Sequence, residues 1–251
     1  MSVSWNPWHG CIKISEGCEN CYVYRIDGKH QRDSSKVCRN SDFDLPVRLN
    51  KKGGYKIPSG EMVYTCFSSD FFLDDADEWR LEAWEYIRQR SDLNFVIFTK
   101  RIHRFSVSLP DDWGDGYGNV TIGCTCESSA RAEYRLPIFL SLPIKHKMII
   151  CEPLLSAIDL APFLCDKIES VYAGGESGEN ARVCDYEWVM GIRDACASAK
   201  VNFHYHQTGA NLMKNGRLYK IPRSKQFVQA EKAGIDLFFQ SSENRQIYQP
   251  I

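Results

Sequence analysis

The feature that most narrows the fold is a rhythm that begins at Glu61. The runs EMVYTCFSSD, NFVIFTKR, NVTIGCTCES, KHKMIICEPLL, ESVYAGGESG and VNFHYHQTG are each apolar and each stop at polar residues. Helical patterns separate several of them. DDADEWRLEAWEYIRQRSD has an acidic front, an Arg-bearing rear, and Trp79, Ala83, Trp84 and Ile87 at helical spacing. SARAEYRLPIFLSL is a second helix, which Pro137 is expected to bend or end. Residues 186–199 form a clear amphipathic helix, and HRFSVSLPDDW reads as a short helix and loop. Apolar strands alternating with helices imply a parallel sheet with βα crossovers, and continuous hydrophobicity implies that both faces are covered. With a first strand over residues 2–6, the expectation is an α/β fold of mostly parallel strands: a partial (β/α) TIM-like barrel, not a flat doubly wound sheet. One domain of 251 residues is expected. Its parts are a cysteine loop and irregular connection over 1–60, βα repeats over 61–209, and an irregular, basic C-terminal extension over 210–251.

In parallel α/β folds ligands bind at the carboxyl ends of the strands. Those ends carry Ser68, Ser69 and Asp70; Lys100 and Arg101; Glu127 and Ser128; Glu152; Gly174, Gly175, Glu176 and Ser177; His206 and Gln207.

Ahead of the repeats, WNPWHGCIKISEGCENCYVYR places Cys11, Cys18 and Cys21 in one Gly-punctuated loop. Structural zinc sites and four-iron clusters usually take four protein ligands. The next cysteine here is Cys38, beyond a polar run. Three thiolates around one metal leave a corner open, where chemistry can take place. The chain has 11 cysteines. An odd number in a chain of this size argues against a disulfide framework, and those in apolar runs read as reduced core residues.

A net charge of −1 excludes indiscriminate binding to nucleic acid or anionic membranes, though not a local basic groove. The segment from Lys214 to Lys225 is such a basic stretch, interleaved with Leu218 and Tyr219. No apolar run is long enough to span a bilayer and the first residues lack a signal pattern. The expectation is a cytoplasmic protein with no membrane partner.

The segments WNPWHGC, GCENCY, FSSDFF, FTKR, CEPLL, AGGESGENAR and HQTG, spread from Trp5 to Gly209, resemble the phage Gp37/Gp68 family (DUF5131, the three-Cys-motif proteins). That family in turn resembles the radical S-adenosylmethionine (SAM) enzymes, which have a partial TIM barrel with a three-cysteine loop after the first strand. The chain departs from their commonest spacing, since six residues and not three separate Cys11 from Cys18.

The resemblance implies an enzyme in which Cys11, Cys18 and Cys21 hold a [4Fe–4S] cluster and SAM takes the fourth iron. An electron donor protein then drives formation of a 5′-deoxyadenosyl radical. Ser68, Ser69 and Asp70 would accept the SAM ammonium, Lys100 or Arg101 its carboxylate, and Glu127 or Ser128 the ribose hydroxyls. Gly174 and Gly175 would admit a close backbone approach with Glu176 reaching inward, and Gln207 joins the cofactor-binding candidates. Glu152, Glu176 and Lys100 are the catalytic candidates. By analogy with the DNA-repair lyases of that group, the substrate would be a nucleotide or nucleic acid. Plainer readings stand beside these. Glu152 and Glu176 would pair with Lys100, Arg101 or Arg182, and Trp5, Trp8 and Tyr22 would be packing. The cysteines, with His9 or His30, would close a zinc site in a non-catalytic binding module.

Overall fold

The computed structural model describes residues 2–239. The chain divides into two compact units, Met1–Cys124 with Ser141–Lys147, and Thr125–Leu140 with Met148–Ile251.

The first unit opens with β1 (Ser2–Trp5), β2 (Trp8–His9), α1 (Tyr22–Lys29) and β3 (Cys38–Arg39). β4 (Met62–Thr65), α2 (Asp77–Gln89), β5 (Asn94–Thr99) and β6 (Val120–Thr125) follow. β1, β4, β5 and β6 are neighbours in that order, and every pairing is parallel. All six residues of β6 are buried, which is why its sequence shows no alternation. α2 turns Arg80, Ala83, Trp84 and Ile87 inward at helical spacing. Arg80 is fully buried because its guanidinium donates to the carbonyls of Phe71, Leu73 and Val107. Trp8, Phe71, Phe72, Trp84, Phe105 and Trp113 make one aromatic cluster. Trp5 and Trp8 are wholly buried, as the packing alternative requires. Residues 32–60 are largely irregular, holding only β3 and a single 3-10 turn.

The second unit contains α3 (Ser129–Ser141) as far as Leu140, β7 (His146–Cys151) from Met148 onward, β8 (Ile168–Gly174), β9 (Val183–Asp185), α4 (Tyr186–Ala199) and β10 (Asn202–Gln207). It ends with β11 (Asn211–Lys214), β12 (Arg217–Lys220) and α5 (Arg223–Lys232). β7, β8 and β10 are neighbours in that order, and β10 pairs with β8 in parallel. α4 starts where expected: the Asp185 carboxylate accepts from Glu187 N and caps it.

α3 is the helix expected over this segment, and it runs through Pro137 to Ser141 rather than ending at the proline. Pro137 and Glu133, the residue whose carbonyl loses its donor, both face solvent, where water satisfies the carbonyl. Leu136 and Phe139 anchor the helix on either side of the proline. The stretch expected to be irregular beyond Gly209 holds regular structure over residues 211–232, while residues 240–251 of the expected extension lie outside the described residues. Asn215 and Gly216 both take positive φ, closing an antiparallel hairpin between β11 and β12, and α5 follows it.

Candidate functional site

In the first unit the cysteine loop is bound to the chain from several sides. Gly10 has φ +92°, and a Cβ there would lie 2.6 Å from the Lys36 carbonyl oxygen, so the loop leaves β2 in a conformation glycine suits. Gly10 N donates to the Ser68 carbonyl and Cys11 N to the Ser34 carbonyl. The Ser68 hydroxyl donates to the Trp8 carbonyl, Ser69 to that of Gly10, Tyr24 to that of Cys11 and Tyr22 to that of Phe67. Ser68 and Ser69 thus hold the loop with the hydroxyls that were expected at a cofactor.

Asp27, on α1, is buried and gathers His9 Nε2 at 2.8 Å and Ser34 Oγ at 2.5 Å. Burial would raise its carboxyl, but those hydrogen bonds hold it below the usual carboxylate range. α1 begins directly after Cys21, which is its N-cap residue.

Asp70 is the hub of the strand-end side. Its Oδ1 accepts from Phe72 N (3.0 Å) and Thr99 Oγ1 (2.8 Å), and its Oδ2 from Lys100 N (2.9 Å) and Arg101 Nη1 (3.4 Å). Four donors match the roughly four lone-pair sites of a carboxylate, so the chain itself uses the group expected to receive the SAM ammonium. Arg101, 4% exposed, points its guanidinium at the loop: Nη1 lies 3.7 Å from Cys11 Sγ and Nη2 donates to the Ile12 carbonyl. Lys100 is half-buried, and its ammonium has no hydrogen-bond or ion-pair partner among the described residues.

Cys11, Cys18 and Cys21 are free, half-buried thiols. Burial, followed by the Asp70 charge, pushes Cys11 up to about 12, with Arg101 opposing and the other two thiols adding to the rise. Among the described residues no group of three or more His, Cys, Asp or Glu side chains is drawn together tightly enough to hold a metal ion. By residue type, three thiols in one loop are donors for a thiophilic metal, and the Arg101 guanidinium lies beside Cys11.

The second unit carries its own polar cluster. Glu152 follows β7, and its Oε2 lies 2.7 Å from His206 Nδ1 while Oε1 accepts from the Gln207 amide. Gln207 Oε1 accepts from Arg223 Nη1 at 2.7 Å, and the His206 ring rests against Phe227 of α5. Burial opposes both charges of the Glu152–His206 pair, yet their mutual attraction prevails. The Glu152 carboxyl falls and the His206 imidazole rises from their ordinary values.

The remaining candidates are engaged within the unit. Glu127 is fully buried in an ion pair of 2.6 Å with Arg135 of α3. The Ser128 carbonyl accepts from Arg131 N and Ala132 N at the start of α3. Glu176 pairs with Arg182 through both carboxylate oxygens, which is the plainer reading realised. Glu152 takes His206 and Gln207 as partners.

The two glycines make room for chain. A Cβ on Gly174 would stand 2.8 Å from Glu152 Oε2, and one on Gly175 would stand 2.4 Å from the Thr208 carbonyl oxygen. Thr99, Asp27, Ser34 and Arg223 are parts of these clusters that the sequence did not single out as such. Only Thr99, directly before Lys100 at a strand end, had a positional signal.

No curated protein and no solved structure matches the chain. A family model described as "Protein of unknown function (DUF5131)" matches residues 1–242. The cysteine loop, its Asp70–Arg101 support and the Glu152 cluster all lie within the match, and the chain belongs to the DUF5131 family.

Proposed function

We propose that the chain is an iron–sulfur enzyme of the radical SAM type, with Cys11, Cys18 and Cys21 as the protein ligands of a [4Fe–4S] cluster and SAM at the remaining iron. When bound, cluster and SAM supply reductive cleavage of the sulfonium C–S bond and so a 5′-deoxyadenosyl radical. The reading carries with it a partial TIM-like barrel for the parallel strands, a cytoplasmic setting and an electron donor protein.

The observation that carries the proposal is a loop of three free, half-buried thiols, tied down by the residues of two strand ends with a buried cation against it. Asp70 fixes Arg101. Arg101 offsets the negative charge that three thiolates bring and fixes the Ile12 carbonyl. Lys100, adjacent and without a partner among the described residues, is the free cation for a carboxylate such as that of SAM. Ser68, Ser69, Tyr22 and Tyr24 keep the loop backbone in place, and Glu152 with His206 is a proton-holding pair in the second unit.

Anaerobic reconstitution with iron and sulfide tests the assignment. A brown protein binding about four irons, and releasing 5′-deoxyadenosine on addition of reductant and SAM, is expected. Loss of iron in Cys18→Ser and Cys21→Ser should accompany it. One tightly held zinc with no iron or sulfide and no SAM cleavage would replace the proposal with a zinc-stabilised module.

A further inference from the structure

The hairpin of β11 and β12 carries charge unlike the rest of the chain. No Asp or Glu occurs between Asp194 and Glu231, while Lys214, Arg217, Lys220, Arg223 and Lys225 fall within that span. Lys214, Arg217, Lys220 and Lys225 have no ion-pair partner among the described residues, whereas Arg223 donates to Gln207 and lends its charge to Glu152. Arginines elsewhere, such as Arg39, Arg88 and Arg104, are paired with acids. The one acid in the three-stranded sheet β12-β11-β9 is Asp185, whose Oδ1 is occupied capping α4.

Aromatic faces lie under these cations. Lys214 Nζ is 4.0 Å from the Tyr186 ring centroid, Arg217 5.2 Å from that of Tyr219 and Arg223 4.6 Å from that of Phe227. β12 is the sheet's edge strand and all four of its residues are exposed, Leu218 by 45% and Tyr219 by 41%. In the ladder Lys214 stands opposite Arg217 and Tyr219 opposite Leu212, so Lys214, Arg217 and Tyr219 share a face.

Lysine on an edge strand is a common guard against strand-to-strand association. A guard has no use for exposed Tyr219 and Leu218 on the same strand, since they add the stickiness it is there to suppress. Unpaired cations interleaved with exposed planar side chains are what binds a polyanion whose units carry flat bases. A lipid surface would call for a broader apolar face than Leu218 provides.

We propose that the β11–β12 hairpin and the start of α5 bind single-stranded nucleic acid. Arg217 and Lys214, on the face they share with Tyr219, and Lys225 of α5 take the phosphates, and Tyr219 stacks on a base. The surface does not depend on the metal loop, so the inference stands or falls separately from the proposed chemistry.

The test is fluorescence anisotropy of a labelled single strand of about 20 nucleotides, long enough to exceed one binding site, with the full chain in metal-free buffer over a salt series. Affinity should fall linearly on logarithmic axes as salt rises. Arg217→Ala with Lys214→Ala should weaken binding and reduce that slope by about 1.4, at roughly 0.7 for each phosphate no longer neutralised. Tyr219→Ala should weaken binding about tenfold with the slope unchanged. Lys225→Ala, on the exposed face of α5, should also lower the slope and does not touch the hairpin's fold. Lys51→Ala with Lys52→Ala, exposed lysines of the first unit, should bind as wild type. Absence of binding at low salt, hairpin variants that bind as wild type, or equal affinity for a duplex would overturn the proposal. So would binding to phosphatidylserine vesicles without binding to the oligonucleotide.

Discussion

The Arg101 guanidinium stands 3.7 Å from Cys11 Sγ and, through the same nitrogen, 3.4 Å from the carboxylate of Asp70. A cation that is 4% exposed is stable only because that carboxylate and the Ile12 carbonyl meet it. Asp70 is therefore the counter-ion that allows a positive charge to be kept beside the thiols. It also joins two strand ends, since its other acceptor sites are filled by Phe72 N, Thr99 Oγ1 and Lys100 N.

This arrangement separates two substitutions that look alike in sequence. Asp70→Asn keeps the shape but leaves the Arg101 charge buried and uncompensated, and should cost about 3 kcal/mol of stability. Thr99→Val removes one hydrogen bond to the same carboxylate and should cost about 1 kcal/mol. Urea unfolding of the two variants measures both. Equal losses would mean that Arg101 draws its support from elsewhere.

The loop's exit from β2 gives a second outcome. Gly10→Ala places a methyl 2.6 Å from the Lys36 carbonyl oxygen at φ +92°. The segment must shift, which should lower stability by roughly 1–2 kcal/mol. Because Cys11 is the next residue, anaerobic iron loading should fall along with the unfolding midpoint. An alanine variant that loads and unfolds as wild type would show that the loop is not held where its hydrogen bonds place it.

Glu152 and His206 predict how stability depends on pH. The His206 imidazole is raised by its carboxylate, so its contribution is complete below its ordinary value near 6.5 and is lost as pH rises through the folded value. The Glu152 carboxyl is lowered, so its contribution is present above its ordinary value near 4.5 and is lost as pH falls through the folded value. The pair is strongest between those two values and weakens toward alkaline pH. Between about pH 6 and alkaline pH, stability should therefore fall further for the wild type than for Glu152→Gln. The difference should be about 1–2 kcal/mol, the range of a charge-assisted hydrogen bond, and denaturant unfolding at the two pH values reads it. Parallel curves for the two proteins would remove the coupling.

The parallel strands were legible because burial on both faces leaves a continuous apolar signature, as in β6 and β7. α4 was legible to the residue, since its Asp185 cap and its apolar spacing agree. The hairpin after Gly209 was hidden by charge: Lys214, Arg217 and Lys220 mask an alternating pattern, and Asn215-Gly216 was not read as a turn. At the candidate site, residue type and strand-end placement were visible but the direction of each lone pair was not. A strand-end Asp70 or Glu127 reads the same whether it faces a ligand or an arginine of its own chain. The Glu176–Arg182 pair, six residues apart, could be named as an alternative. The Glu152–His206 contact joins residues 54 apart on different elements and left no local trace.

The paired glycines give the clearest test of what that ambiguity conceals. Gly174-Gly175 reads equally as a cradle for a ligand or as room for the chain, and the two cases differ in what a methyl group would meet. At Gly175 a Cβ falls 2.4 Å from the Thr208 carbonyl oxygen and 2.9 Å from Gly209 Cα, both backbone atoms that cannot rotate aside. Gly175 N also donates to the Gln207 carbonyl, and Ala210 N to that of Glu176, so the two segments are tied together here. Gly175→Ala should therefore destabilise the chain with no ligand present, by about 2 kcal/mol or more, the cost of forcing packed atoms apart. Gly191→Ala supplies the control. That glycine lies on the exposed side of α4 with nothing within 4 Å of its Cβ position, and alanine there should stabilise by roughly 0.5–1 kcal/mol. Thermal unfolding of the two variants reads both signs at once. A Gly175→Ala protein as stable as wild type would return the pair to the role of a ligand cradle.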